Sequence, residues 1–266
     1  MKTPTFDRIG DEGIRYTHFS VAAVCSPTRG SLLTGYNVHQ IGTGIISEFA
    51  TGYPGYNSQI DYTTPSIAKI LTENGYATAA FGKWHNTPME EASPAGPFES
   101  WPTGIWGFEY FWGFLGGETN QFHPFLYENT TAIETPKTNA DGSTFHISHG
   151  MADQAIKWLD NWKGLRENPF FMYYTPGAVH APIQVPKNGV INTRGSSMKD
   201  GMRTENNFWS VRKRWDWFRK MRKWSTGRRL SRNGIHSAKK GKNIWPARWR
   251  SMPLSWNMLI IMSEGS

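Results

Sequence analysis

A chain of 266 residues suffices for one or two domains with a sizeable core. Its net charge of +8 is unevenly spread, since residues 1 to 187 carry 11 Lys and Arg against 17 Asp and Glu, whereas residues 188 to 266 carry 18 against 4. The single cysteine, Cys25, excludes an intramolecular disulfide, no stretch approaches the roughly 18 apolar residues of a membrane span, and Met1-Lys2-Thr3-Pro4 lacks the apolar run of a targeting signal.

Thr3 followed by Pro4 reads as the N-cap and first residue of a helix, with Phe6 and Ile9 on one face and Gly13 placed to end it. Thr17 to Val24 is β-branched and apolar enough for a buried strand, and the run C-S-P-T-R-G-S-L-L-T-G follows at once, with Pro27 suited to a first helical turn. Cys25 is therefore expected at a strand-to-helix junction. Thr64-Pro65 opens another helix with Ile67, Ile70 and Leu71 on one face and Gly75 at its end. Tyr76 to Phe81 then reads as a strand running into Gly82-Lys83-Trp84-His85.

Residues 86 to 128 are rich in Gly, Pro and aromatics, including Trp101, Trp106, Tyr110, Phe111 and Trp112. This composition suits either a packed irregular excursion or a substrate lid. A later helix around His149 to Trp162 lines up Ala152, Ile156 and Leu159, and Phe170 to Tyr174 reads as a buried strand leading to Thr175-Pro176-Gly177 and His180. Helices alternating with apolar strands indicate an α/β fold with a largely parallel sheet, in which ligands gather beyond the carboxyl ends of the strands. Cys25, Lys83 with His85, and His180 each follow a different predicted strand, as a shared site requires.

Cys25-Ser26-Pro27-Thr28-Arg29 matches C-x-P-x-R, the recognition sequence for oxidising a cysteine to formylglycine. With the following G-S-L-L-T-G, the later G-K-W-H and A-V-H-A-P-I-Q-V-P, residues 1 to 187 resemble the formylglycine-dependent sulfatases. The run from Trp101 to Gln121, with Y-E-N-T-T after it, is similar to the long bacterial arylsulfatases. The resemblance implies the alkaline-phosphatase-like α/β sandwich with a mixed, largely parallel sheet, incomplete in this chain: residues 1–187 would be a partial catalytic domain without its first strand, leaving an apolar sheet edge.

It also implies a sulfuric ester hydrolase of the arylsulfatase type, with a sulfate ester as substrate and a formylglycine-generating enzyme as maturation partner. Cys25 becomes the formylglycine nucleophile, Arg29 hydrogen-bonds the hydrated aldehyde, and Lys83 neutralises a sulfate oxygen. His85 takes a proton when sulfate is expelled, and His180 protonates the leaving alcohol. Ile183 departs from the second histidine of many relatives, while His18, His39, His123, His146 and His149 match no family position. The family's divalent cation, usually Ca²⁺, would be touched here by the Cys25-derived oxygen, its other ligands being absent from this chain, which is accordingly expected to be inactive. The parent enzyme would be cytoplasmic or periplasmic in a bacterium, with no membrane partner.

In residues 188–266, Arg212-Lys213-Arg214-Trp215, Arg222-Lys223-Trp224 and Arg248-Trp249-Arg250 interleave charge with stacking surface. At face value this is a nucleic-acid-binding region, and a basic nucleic-acid-binding protein is the rival function. The genetic code offers a different account, because Trp and Met each have one codon and a one-base offset leaves little freedom. Re-read in this way, Lys187 to Met202 permits E-W-S-D-K-Y-K-G-Q-F-D-E-G-W-D, and the stretch past Met258 permits A-D-H-N-V-G-R. Both resemble the sulfatase continuation, the second where a later metal-ligand pair belongs. The tail is thus read as out of frame and not a true domain, which removes nucleic acid as a partner.

The coding DNA tests this directly. Restoring one base near the Lys187 codon is expected to open a frame through D-H-N-V-G-R into a longer sulfatase, with an Asp-Asp pair encoded upstream of Met1. A stop codon in the shifted frame before Met258 would refute it.

Overall fold

Seven consecutive residues, Ala77–Lys83, form a strand buried along its whole length, and this strand, β1, sets the architecture. A strand with no solvent-facing side must be covered on both faces and paired on both edges. The computed structural model describes residues 4–13, 16, 18, 20–165, 168–186 and 259–262. The described elements in chain order are α1 (Pro4–Glu12), α2 (Cys25–Thr34), α3 (Ile67–Glu73), β1, β2 (Tyr110–Phe114), β3 (Leu126–Glu128), β4 (Thr131–Ile133), α4 (Ile147–Leu165), β5 (Phe170–Thr175) and β6 (Leu259–Met262).

The sheet runs β4-β3-β2-β1-β5-β6. Its centre is parallel, with β1 between β2 and β5, while β3, β4 and β6 join antiparallel. Successive side chains face opposite sides and so divide the core in two. On one side Ala80, Phe111, Phe171 and Tyr173 pack with Leu32 and Leu33 of α2 and with Ile67, Ala68 and Leu71 of α3. On the other, Ala79, Phe81, Trp112 and Met172 pack with Ile147, Met151 and Ala155 of α4. The expected mixed α/β sandwich is present.

Several local expectations change. Among the described residues of the Thr17 to Val24 stretch no strand forms, and Val24 is exposed. A β-branched run needs a neighbour for its N–H and C=O groups, and pairing rather than composition decides whether a strand forms. Helix α3 starts later than Thr64-Pro65, at the Ser66 cap, whose hydroxyl accepts from Lys69 N at 3.1 Å and donates to the Trp106 carbonyl. Ile70, expected on its buried face, is exposed. Helix α4 meets the sheet through Ile147, Met151 and Ala155 with Trp158 and Leu159, and Ile156 is 57% exposed. The stripe therefore runs one position from the expected Ala152 and Ile156. Helix α1 forms as expected, with Phe6 and Ile9 exposed.

Much of residues 86 to 128 is packed into the core. Trp101, Trp106, Phe111 and Trp112 are buried, and β2 lies within this stretch. Of residues 188–266 only Leu259–Met262 are described, as β6 pairing Phe171↔Met262 through Tyr174↔Leu259, so the outer edge of β5 is occupied. The basic clusters lie outside the described residues. Among the described residues no helix is long and apolar enough to cross a membrane.

The register next to Lys83 depends on two glycines. Gly82 pairs with Gly113 on one side and Thr175 on the other, at φ 97°, and a Cβ there would collide with the Thr175 carbonyl and the Met151 sulfur. Gly82→Ala is expected to destabilise the chain by about 2 kcal/mol or more, combining a disfavoured φ with overpacking. The shift of the denaturant midpoint measures this, and an unchanged midpoint would contradict the packing.

Candidate active site

The predicted residues come from separate pieces of chain. Cys25 is the first residue of α2, whose N-cap Val24 offers no side-chain acceptor. The first N–H groups of a helix have no internal partner and favour negative charge. Thr28 of the C-S-P-T-R run ties the entering segment down, its hydroxyl standing 2.7 Å from the Ala22 carbonyl and 2.9 Å from that of Val24. Gly35 closes the helix at φ 77°.

Lys83 ends β1 and His85 follows two residues on. Lys83 is 3% exposed and its Nζ donates to Cys25 Sγ at 3.2 Å. Arg29, one turn along α2 and buried, donates from Nη1 to the Lys83 carbonyl at 2.7 Å. The Thr175 hydroxyl at the end of β5 lies 2.8 Å from the same carbonyl. The Asn86 amide also joins α2 to this segment, its nitrogen donating to the His85 carbonyl at 2.9 Å and its oxygen accepting from Gly30 N at 3.1 Å.

Charge and burial act together here. Desolvation holds the Lys83 ammonium below its ordinary pKa, and the Arg29 charge pushes the same way, while Cys25 opposes both. The Cys25 thiol falls to about 6, chiefly through the His85 ring and then through Lys83, against desolvation that raises it. Thiols beside cationic groups and at helix N-termini are lowered in this manner.

His85 Nε2 lies 2.7 Å from Glu48 Oε2, and the Glu48 carboxyl is drawn down to about 2, chiefly by that hydrogen bond. Gly117 N donates to the other oxygen, Oε1, at 3.3 Å. Glu48, in the short 3-10 turn Ser47–Phe49, carries no sequence signal, because no spacing relates it to His85; tertiary contact alone reveals it.

His180 follows β5 but does not join this cluster through a described hydrogen bond. It is 44% exposed on its side chain, with Nδ1 3.0 Å from the Ala181 carbonyl and 3.5 Å from Glu118 Oε2. Four predicted residues, Cys25, Arg29, Lys83 and His85, therefore come together, and His180 stands on the neighbouring loop beside Glu118.

The donor set beside Cys25 is a sulfur, an ammonium, a guanidinium and an imidazole, with one carboxylate already engaged. Ca²⁺ requires about 6 to 8 oxygen ligands, so the described residues do not fit that cation.

The family model described as Sulfatase matches residues 1–226, extending past residue 187. An uncharacterised sulfatase of Schizosaccharomyces pombe is 33% identical over 204 residues, covering 73% of this chain and 36% of the relative. An arylsulfatase of Klebsiella aerogenes is 25% identical, covering 73% and 41%. The chain thus spans well under half the length of these curated relatives. Among solved structures, a sulfatase from Pseudoalteromonas superposes with a TM-score of 0.50 at 19% identity, covering 71% of this chain and 41% of that one. A protein solved with its substrate D-glucosamine-2-N,6-O-disulfate superposes with a TM-score of 0.51 at 23% identity, covering 73% and 33%. Both show a shared fold.

Unmodified Cys25 is expected to react with iodoacetamide along a pH profile whose midpoint lies near 6. Lys83→Met should move the midpoint upward, because removing the cation destabilises the thiolate. A midpoint unmoved by that change would contradict the Lys83 contact.

Proposed function

The chain belongs to the sulfatase family, and on that premise we propose that Cys25, oxidised to formylglycine, is the nucleophile of a sulfuric ester hydrolase of the arylsulfatase type. The observation that carries this reading is the 3.2 Å contact from buried Lys83 to Cys25 at the start of α2, within C-S-P-T-R. The Sγ atom occupies the place of the aldehyde-derived oxygens after conversion. A hydrated aldehyde supplies two hydroxyls, one to attack sulfur and one to expel sulfate as the aldehyde re-forms.

This chain's residues supply what surrounds that chemistry. Lys83, as a point charge already desolvated, offsets the negative charge of a sulfate oxygen. The α2 N-terminus adds N–H groups that favour the same anion. Arg29 holds the end of β1 through the Lys83 carbonyl, and its remaining N–H groups serve the hydrated side chain. His85 accepts the proton released when sulfate is expelled. His180, more exposed, donates a proton to the departing alcohol oxygen.

Co-expression with a formylglycine-generating enzyme is expected to give an aldehyde detectable by hydrazide labelling and absent from Cys25→Ala; labelling that persists in that variant would refute the assignment. The converted chain as it stands is expected not to turn over a chromogenic aryl sulfate. Metal-dependent turnover by the present chain, lost in Cys25→Ala, would overturn the incomplete-site reading.

A further inference from the structure

A histidine that accepts a proton does so on one bare ring nitrogen, and His85 has two to choose from. We propose that Glu48 is the positioning residue of the site: its carboxylate keeps the proton on His85 Nε2 and leaves Nδ1 as the nitrogen that serves Cys25. The inference rests on the reading of His85 as the proton acceptor at the Cys25-derived group.

A carboxylate can only accept, so the 2.7 Å contact between Glu48 Oε2 and His85 Nε2 makes that nitrogen the donor. In a neutral imidazole the other nitrogen then carries the lone pair. His85 Nδ1 is buried and has no hydrogen-bond partner, in a side chain 4% exposed. A buried polar atom without a partner is costly and requires an explanation. With Nε2 taken by Glu48, the buried and unpartnered Nδ1 is the ring nitrogen left to accept a proton.

The surroundings hold the pair in place. Gly117 N donates to Glu48 Oε1, and a Cβ on Gly117 would lie 2.7 Å from His85 Cε1 and 2.9 Å from Nε2. No larger residue fits against that face of the ring without moving it. Ser47, next to Glu48, donates to the His85 carbonyl at 3.4 Å, and His85 N donates to the Leu115 carbonyl at 2.8 Å. His85 itself adopts φ 64°, unusual for a residue with a side chain and sustained only where neighbours over-determine it. The Ser47–Phe49 turn therefore grips His85 at its backbone and its ring together. Orienting partners of this kind alter the working group without touching the reacting atoms.

The test is the ¹⁵N spectrum of the His85 ring at alkaline pH in the full chain bearing Cys25→Ser, whose hydroxyl stays neutral where the native thiol would be a thiolate competing for the ring proton, with the signals assigned by their loss in His85→Gln. With Glu48 intact this chain should show a protonated Nε2 and a bare Nδ1; a protonated Nδ1 would overturn the proposal even if every Glu48 variant failed to fold. Glu48→Ala should lose the single tautomer, and Glu48→Gln should retain it through the amide oxygen. An unchanged tautomer in folded Glu48→Ala would also overturn it. Since this readout needs neither conversion of Cys25 nor turnover, its failure is separate from failure of the hydrazide labelling that tests the sulfatase reading.

Discussion

Two cations are buried side by side at the end of one strand, and much of the site follows from that constraint. Lys83 and Arg29 are both removed from solvent, and the Arg29 charge raises the cost of charging Lys83. Burying a charge without a partner costs several kcal/mol, so such groups are kept only where something compensates them. Arg29 is satisfied in part by a backbone carbonyl. Lys83 meets Cys25, and the nearby carboxylate of Glu48 is committed to His85 and the Gly117 amide. An arriving anion finds positive charge that is already desolvated and fixed, the condition under which electrostatic stabilisation is strongest.

The sheet supplies the rigidity that this arrangement needs. Strand β1 is held between two parallel neighbours, with Gly82 facing Gly113 and Thr175 at the position before Lys83. The Thr175 hydroxyl and the Arg29 guanidinium reach the Lys83 carbonyl from different elements, while Asn86 links α2 to the residues after the strand. Side chains placed on such a scaffold keep their geometry better than side chains carried by free loops. The two acid–histidine pairs differ accordingly. Glu48–His85 is short and its histidine buried, whereas Glu118–His180 is longer and open to solvent on the following loop. The difference sets a fixed, buried histidine beside the end of β1 against an accessible one on the loop after β5. Gly117 and Glu118 connect the pairs, the first through its amide to Glu48 and the second through its carboxylate to His180.

The family's fold is recognisable although the chain covers 36% and 41% of two curated relatives. The parallel centre of the sheet and its flanking helices suffice to align with solved sulfatases. The described donor set beside Cys25 is cationic and sulfur-bearing, unlike the oxygen-rich set that a hard cation such as Ca²⁺ requires.

Local pattern determined a good deal by itself. The C-S-P-T-R run, G-K-W-H and the order of Cys25, Arg29, Lys83, His85 and His180 mark the family, because these chemical types are read without knowing their partners. The apolar runs at Tyr76 to Phe81 and Phe170 to Tyr174 gave β1 and β5, since a fully buried parallel strand needs apolar residues at nearly every position. The Thr17 to Val24 run looked similar but formed no strand among its described residues, because pairing is a property of neighbours and not of composition. The face of α4 shifted for the same reason, the sheet choosing Met151 and Ala155 over Ala152 and Ile156. Glu48 was invisible in the sequence, and so was the tautomer it sets. Its distance from His85 is 37 residues along the chain but 2.7 Å in space, and only the folded backbone brings the two together.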